Sequence, residues 1–209
     1  MPGPHPQRSF SAKSPSGSHQ GPPRKKPRDA SVREYLRPDE VDAMVQAARQ
    51  SGRHRVRDAA IILLMFRHGL RTAELVALRW QQVDFKAGYL DVHRVKHGHH
   101  AKHPLRGPQL RLLRDLQRLY PDSPYVFVSE RKASLSPRSI RAIVARTGKV
   151  AGLPFVPHPH QLRHACGYYL ASRGHDTRAI QDYLGHKNIQ HTVRYTALAP
   201  HRFESFWND

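Results

Sequence analysis

Cysteine occurs once in the chain, at Cys166, so no intramolecular disulfide can form. Acidic side chains are scarce: 16 Asp and Glu stand against 35 Lys and Arg, a formal net charge of +19. No apolar run approaches the length that spans a bilayer, and the longest, Ala59 to Phe66, suits a buried helix. The N-terminus lacks an apolar signal-peptide segment. These deficits exclude a disulfide-stapled scaffold and argue against a membrane partner. The expectation is a soluble, cytoplasmic protein. The positive excess bears on partners, not on fold, and favours a polyanion such as DNA or RNA. A ribosome-associated or merely solubilising basic surface would have the same charge.

Residues 1–33 are rich in Pro, Ser, Gly, His and basic side chains and hold almost no large apolar residues. Such a segment buries too little surface to offset its ordering entropy, and a disordered basic tail is expected. Residues 34–209 read as one domain, mainly α with a small antiparallel β-sheet. Pro38 opens a helix with Asp39 and Glu40 in its first turn. A nearly all-apolar helix from about Arg57 to His68 should be central in the core and end at Gly69. Thr72 is a plausible cap for a third helix reaching about Arg79.

The hydrophobic period then changes to two, with Tyr89, Asp91 and His93 alternating with Leu90, Val92 and Arg94, which predicts a strand. Lys96 to Lys102 reads as a turn and His103-Pro104-Leu105 as the start of a return strand. Four histidines (His97, His99, His100, His103) invite a metal reading there. No cysteine and no nearby carboxylate pair supports it, so a basic hairpin touching phosphates is preferred. Downstream, a helix is expected over Leu110–Tyr120, a short strand over Tyr125–Val128 and a helix from Pro137 to about Ala151. Arg138, Arg141 and Arg146 on the last of these form a candidate DNA-facing row, or a solvated basic face. Helices follow at about 159–173, 176–184 and 188–198. A short final segment holds Phe203, Phe206 and Trp207, too apolar for a free tail.

The helix from residue 159 puts His160, Arg163, His164 and Gly167 on one side and Leu162, Ala165, Cys166, Tyr169 and Leu170 on the other. With Gly185-His186 and Tyr195 downstream, an arginine, two histidines and a tyrosine make a set able to bind a phosphate and attack it. A phosphodiester transition state gains negative charge on its equatorial oxygens, and fixed guanidiniums lower its energy. Arg71, in a tight helix junction, and Arg163 are the candidates. A tyrosine nucleophile has an ordinary pKa near ~10 and needs a base, which His160 can supply. The departing sugar oxygen needs a proton, available from Lys96 or Lys102.

Gly69-Leu70-Arg71-Thr72-Ala73-Glu74-Leu75, Lys96, His160-Gln161-Leu162-Arg163-His164, Leu184-Gly185-His186 and Thr192-Val193-Arg194-Tyr195-Thr196, in this order and spacing, resemble the tyrosine recombinase (phage integrase) family. Within that family the chain resembles in particular the short invertases of fimbrial switches. The resemblance runs from about residue 34 to 207. It implies the tyrosine recombinase catalytic-domain fold, without a separate N-terminal core-binding domain. It implies Tyr195 as nucleophile, Arg71 and Arg163 as phosphate ligands, Lys96 as general acid, His160 as acid/base and His186 as a phosphate hydrogen-bond donor. Glu74 would support these from behind, and Arg94, Lys102, Arg138 and Arg141 would contact DNA. Phe203, Phe206 and Trp207 would dock on a neighbouring protomer. Neither metal nor other cofactor is implied. The partners implied are double-stranded DNA, a homo-tetramer on synapsed sites and accessory DNA-bending proteins, on a bacterial nucleoid. A non-catalytic DNA-binding regulator and a type IB topoisomerase are the rival readings.

Overall fold

The computed structural model describes residues 33–94 and 100–197, together with Met1 and Gly3. The expected tail, Lys96, and the group Phe203, Phe206 and Trp207 lie outside the described residues.

Eight helices and one sheet are present among the described residues. Helix α2 (Arg55–His68) is the hub, with every residue from Ala59 onward except Arg67 buried. Helix α1 (Pro38–Gln50), α4 (Gly107–Leu119) and α6 (Pro159–Ser172) pack around it. The amphipathic α4 supplies Leu112, Leu113 and Leu116, and α5 (Pro137–Val150) supplies Ile140, Ile143 and Val144. Side-chain caps start two helices where the sequence places them. Ser136 Oγ accepts from the Ser139 N–H at 3.1 Å, and Asp176 Oδ1 accepts from the Ala179 N–H at 3.0 Å. Helix α7 (Thr177–Leu184) and α8 (Gln190–Ala197) close over α6. Beneath them sits a satellite cluster of Cys166, Ala171, Ile180, Leu184 and Tyr195.

The sheet is antiparallel with order β1-β2-β3, formed by Val83–Asp84, Tyr89–His93 and His100–Pro104. Leu90 stands opposite His103, and Val92 opposite Ala101. Leu90, Val92 and His103 face the core; Tyr89, Asp91, His93, His100 and Lys102 face out. The return strand thus begins at His100, three residues before the expected start, because the ladder continues through the polar residues. Helix α3 is only Thr72–Val76, with Thr72 its first residue; the cap is Arg71, whose N–H donates to Glu74. The expected strand at Tyr125–Val128 reduces to two isolated bridges, Arg79 to Tyr125 and Val128 to Ser134. No helix among the described residues is long and apolar enough to cross a membrane.

His103 and His68 are fully buried, and among the described residues both ring nitrogens of His103 and Nε2 of His68 find no partner. Burial and neighbouring positive charge hold His68 down at about 3 and His103 at about 2. The unfolded chain protonates these rings near pH ~6.5 and the folded chain does not. Stability is therefore complete above that pH and declines as pH falls below it. At pH ~5 the loss is about 2 kcal/mol per ring. Thermal melts are expected to fall by roughly 5 °C or more between pH ~7.5 and ~5, with a shallower slope in His103→Leu. A melting point independent of pH over that range would contradict this.

Candidate active site

Two helix ends meet at the centre of the site. Gly69 ends α2 and Gly185 ends α7, both in the left-handed conformation. At Gly185 (φ 63°) a Cβ would stand 2.8 Å from Cγ of Arg94, so the position requires glycine on both backbone and packing grounds. Arg163 ties the two ends together. Its guanidinium donates to the Leu184 carbonyl at 2.6 Å and to the Gly69 carbonyl. Arg71 donates to the Gly185 carbonyl at 3.1 Å. His186 follows directly, its Nδ1 2.9 Å from Thr192 Oγ1 on α8.

Glu74 is buried behind these groups. Its carboxylate takes Arg71 Nη1 at 2.7 Å, the Arg71 N–H at 2.8 Å and Arg94 Nη1 at 2.7 Å. Although burial opposes its charge, Arg94 and Arg71 hold its pKa below the usual carboxylate range. Arg94 itself is buried, with its side chain 1% exposed, and also donates to the Tyr183 and His68 carbonyls. The expectation that Arg94 contacts DNA is therefore corrected: it is a brace that joins the hairpin base to α3 and α7. Its place in the alternation, on the side of Leu90 and Val92, is the signal for this.

Three guanidiniums thus surround one carboxylate, an excess of two positive charges. Arg163 has carbonyl partners only, and burial with the repulsion of Arg71 and Arg94 pulls its pKa to about 10. The same field, after burial, holds His186 at about 3 and moves His160 downward. His160 is exposed and senses Arg163, Arg71 and Arg141, so Arg141 lies on this side of the molecule. Arg138 and Arg141 are exposed on α5, while Arg146 is tied to Asp58. Lys102 is exposed and lines a cleft of about 830 Å³ between β3 and α7, beside His186 and Lys187.

Tyr195 is only 1% exposed. Its hydroxyl lies 2.8 Å from Nδ1 of His164, not on His160 as expected from the sequence. Burial holds His164 at about 4, so its ring is neutral and offers Nδ1 as a hydrogen-bond partner to the phenol, and burial pushes Tyr195 to about 12. The Tyr195 ring is flanked by Tyr168, with centroids 4.9 Å apart. It also covers Gly167, where a Cβ would come within 2.4 Å of Cε2. The α6 face carrying Arg163 and Gly167 is therefore buried rather than open, because α7 and α8 cover it. Arg194 pairs with Glu34 at 2.5 Å, and Tyr35 stacks on Tyr168 at 3.9 Å. Tyr183 packs on His103 with centroids 3.7 Å apart. The roles of His164, Gly167 and Thr192 were missed; His164 was signalled by its place one turn from His160.

Helices, sheet and site together have the catalytic-domain fold of tyrosine recombinases. The crystal structure of XerA recombinase matches with a TM-score of 0.72 and 27% identity, covering 82% of this chain and 63% of that chain. The sequence model described as the phage integrase family matches residues 34–202, and the chain belongs to that family. The type 1 fimbriae regulatory protein FimE of Escherichia coli (strain K12) is 43% identical over 183 residues, 85% of this chain and 92% of that protein. Tyrosine recombinase XerA of Pyrococcus furiosus is 37% identical over 148 residues, 69% of this chain and 51% of that protein. By class the protein is a site-specific tyrosine recombinase, which leaves the regulator and topoisomerase readings unfavoured.

Two substitutions probe the packing. Glu74→Ala leaves Arg94 buried without its counter-charge and is expected to cost about 3–5 kcal/mol in denaturant melts. Gly167→Ala crowds the Tyr195 ring and is expected to cost about 1–3 kcal/mol. In Gly167→Ala, ultraviolet titration should also show one phenol ionising closer to the ordinary tyrosine range. Unchanged stability and titration would contradict the packing described.

Proposed function

We propose that the protein cuts and rejoins double-stranded DNA at specific sites through a 3′-phosphotyrosyl link on Tyr195. The observation that carries this reading is the excess of two buried or half-buried guanidinium charges around Glu74, which an anion at Arg71 and Arg163 would balance. In the proposed step the Tyr195 oxygen attacks the phosphorus and the bond to the 5′-oxygen breaks. The phenolic proton passes to a histidine, His160 or the adjacent His164. Lys96, in residues 95–99, gives a proton to the departing 5′-oxygen; Lys102 is its rival. His186 donates to a phosphate oxygen, and Glu74 keeps Arg71 in register. The reverse attack by a 5′-hydroxyl on the phosphotyrosine reseals a strand.

Because the covalent link conserves the phosphodiester bond, the reaction draws on neither metal nor nucleotide. Arg138 and Arg141 would follow the DNA backbone, as would Lys102. A tetramer on two synapsed sites, docking through Phe203, Phe206 and Trp207 and assisted by DNA-bending proteins, is the assembly we favour. Inversion, integration or excision then follows from how the two sites are arranged on the DNA.

The test is suicide-substrate trapping. Wild-type protein and Tyr195→Phe are incubated in EDTA with nicked duplexes from the DNA flanking the gene, then run on a denaturing gel. A covalent band is expected for wild type alone. Binding by mobility shift with no covalent band, even after host extract is added, would replace this reading with a non-catalytic DNA-binding protein.

A further inference from the structure

We propose that Asp91, His93 and His100 form a binding site for a zinc-like divalent metal ion on the outer face of the β2–β3 hairpin. Strand register brings them together. His93 and His100 are direct cross-strand partners, so their imidazoles rise from the same face. Asp91 is two residues before His93 and, by the period of a strand, shares that face. Their rings are 4.2 Å apart between centroids. One donor atom from each residue lies within 4.8 Å of the others, the one such trio among the described residues. The carboxylate sits against both rings, with Oδ2 3.2 Å from His93 Nε2 and Oδ1 3.8 Å from His100 Nδ1. A tetrahedral ion with bonds of ~2.1 Å needs donors about 3.4 Å apart, which these exposed side chains reach by small rotations.

Two imidazoles and one carboxylate match the borderline character of zinc and its first-row neighbours better than that of magnesium or calcium, which prefer oxygen alone. The fourth position is open to water. The three side chains are all partly exposed, so an ion reaches them without unfolding the sheet. Neither His103, which faces the core, nor the histidines of residues 95–99 are needed. Lys102 is opposite Asp91 on the same face and opposes an incoming cation. A bound ion would join β2 to β3 at their last described pair, at the base of the segment that contains Lys96.

Metal binding is measured on the full chain, freed of metal by EDTA and dialysis. Zinc chloride is titrated by calorimetry, and cobalt chloride by visible absorbance. Wild type is expected to bind one ion that the double variant His93→Gln/His100→Gln does not, with the cobalt band lost in that variant. Asp91→Asn should weaken this ion at least tenfold, and Lys102→Ala should tighten it. The other histidines contribute a background common to all variants, which His175→Gln controls. Because the substituted side chains are exposed, melting curves should match wild type in the absence of metal. Identical zinc stoichiometry and affinity in wild type and the double variant would overturn the site, as would no zinc uptake by wild type at micromolar concentrations.

Discussion

A single buried carboxylate, Glu74, is shared by two guanidiniums and a backbone N–H. Through Arg71 it fixes the start of α3. Through Arg94 it holds the end of β2 and, by the carbonyls of His68 and Tyr183, the ends of α2 and α7. Three parts of the chain, the α2–α3 junction, the end of β2 and the end of α7, thus converge on one charge. Isolated buried ions are costly, and this one is retained because every partner also satisfies another buried group. The arrangement also fixes the Arg71 fork at a defined angle to the Gly185 carbonyl.

Electrostatics then follow from counting. One carboxylate cannot neutralise Arg71, Arg94 and Arg163, so the centre stays positive even though water is largely excluded. Nearby titratable groups respond in one direction: His186, His164 and His160 all become harder to protonate, with burial as the first cause. An arriving phosphate would partly cancel the field and ease protonation of these rings, coupling substrate binding to the supply of protons. Preorganised positive charge of this kind needs no reorganisation when a transition state forms.

Much of this was legible in the sequence because local rules and motif order agree. The helix starts at Pro38, Ser136 and Asp176, the glycine stops at Gly69 and Gly185, and the alternation over Tyr89–His93 are local statements. Arg71, Arg163 and His186 meet as the motif order suggests. What was not legible depends on which element covers which. Arg163 and Gly167 lie on the polar side of α6 by periodicity, yet α7 and α8 bury them. The pairing of Tyr195 with His164 instead of His160 is set by the seating of α8, and Arg194 beside it acquires meaning only through Glu34. The convergence of Asp91, His93 and His100 depends on register, which the sequence leaves free until β3 is known to begin at His100.

The seating of Tyr195 in the satellite cluster has a consequence for populations. A phenol closed off from solvent meets a bulky polymer only in molecules whose α8 has lifted. Re-exposing a ring of this size costs about 2 kcal/mol, so such molecules are on the order of a few per cent at equilibrium. If Tyr195 is the nucleophile, as proposed, an observed strand-cleavage rate is a product of two quantities, the open fraction and the intrinsic chemistry. Contacts that hold α8 down, among them Glu34 with Arg194 and Thr177 with Thr196, set the first factor without touching the second. Under the proposed mechanism, the stability of one short helix would thereby throttle how often a solitary molecule cuts the DNA it is bound to.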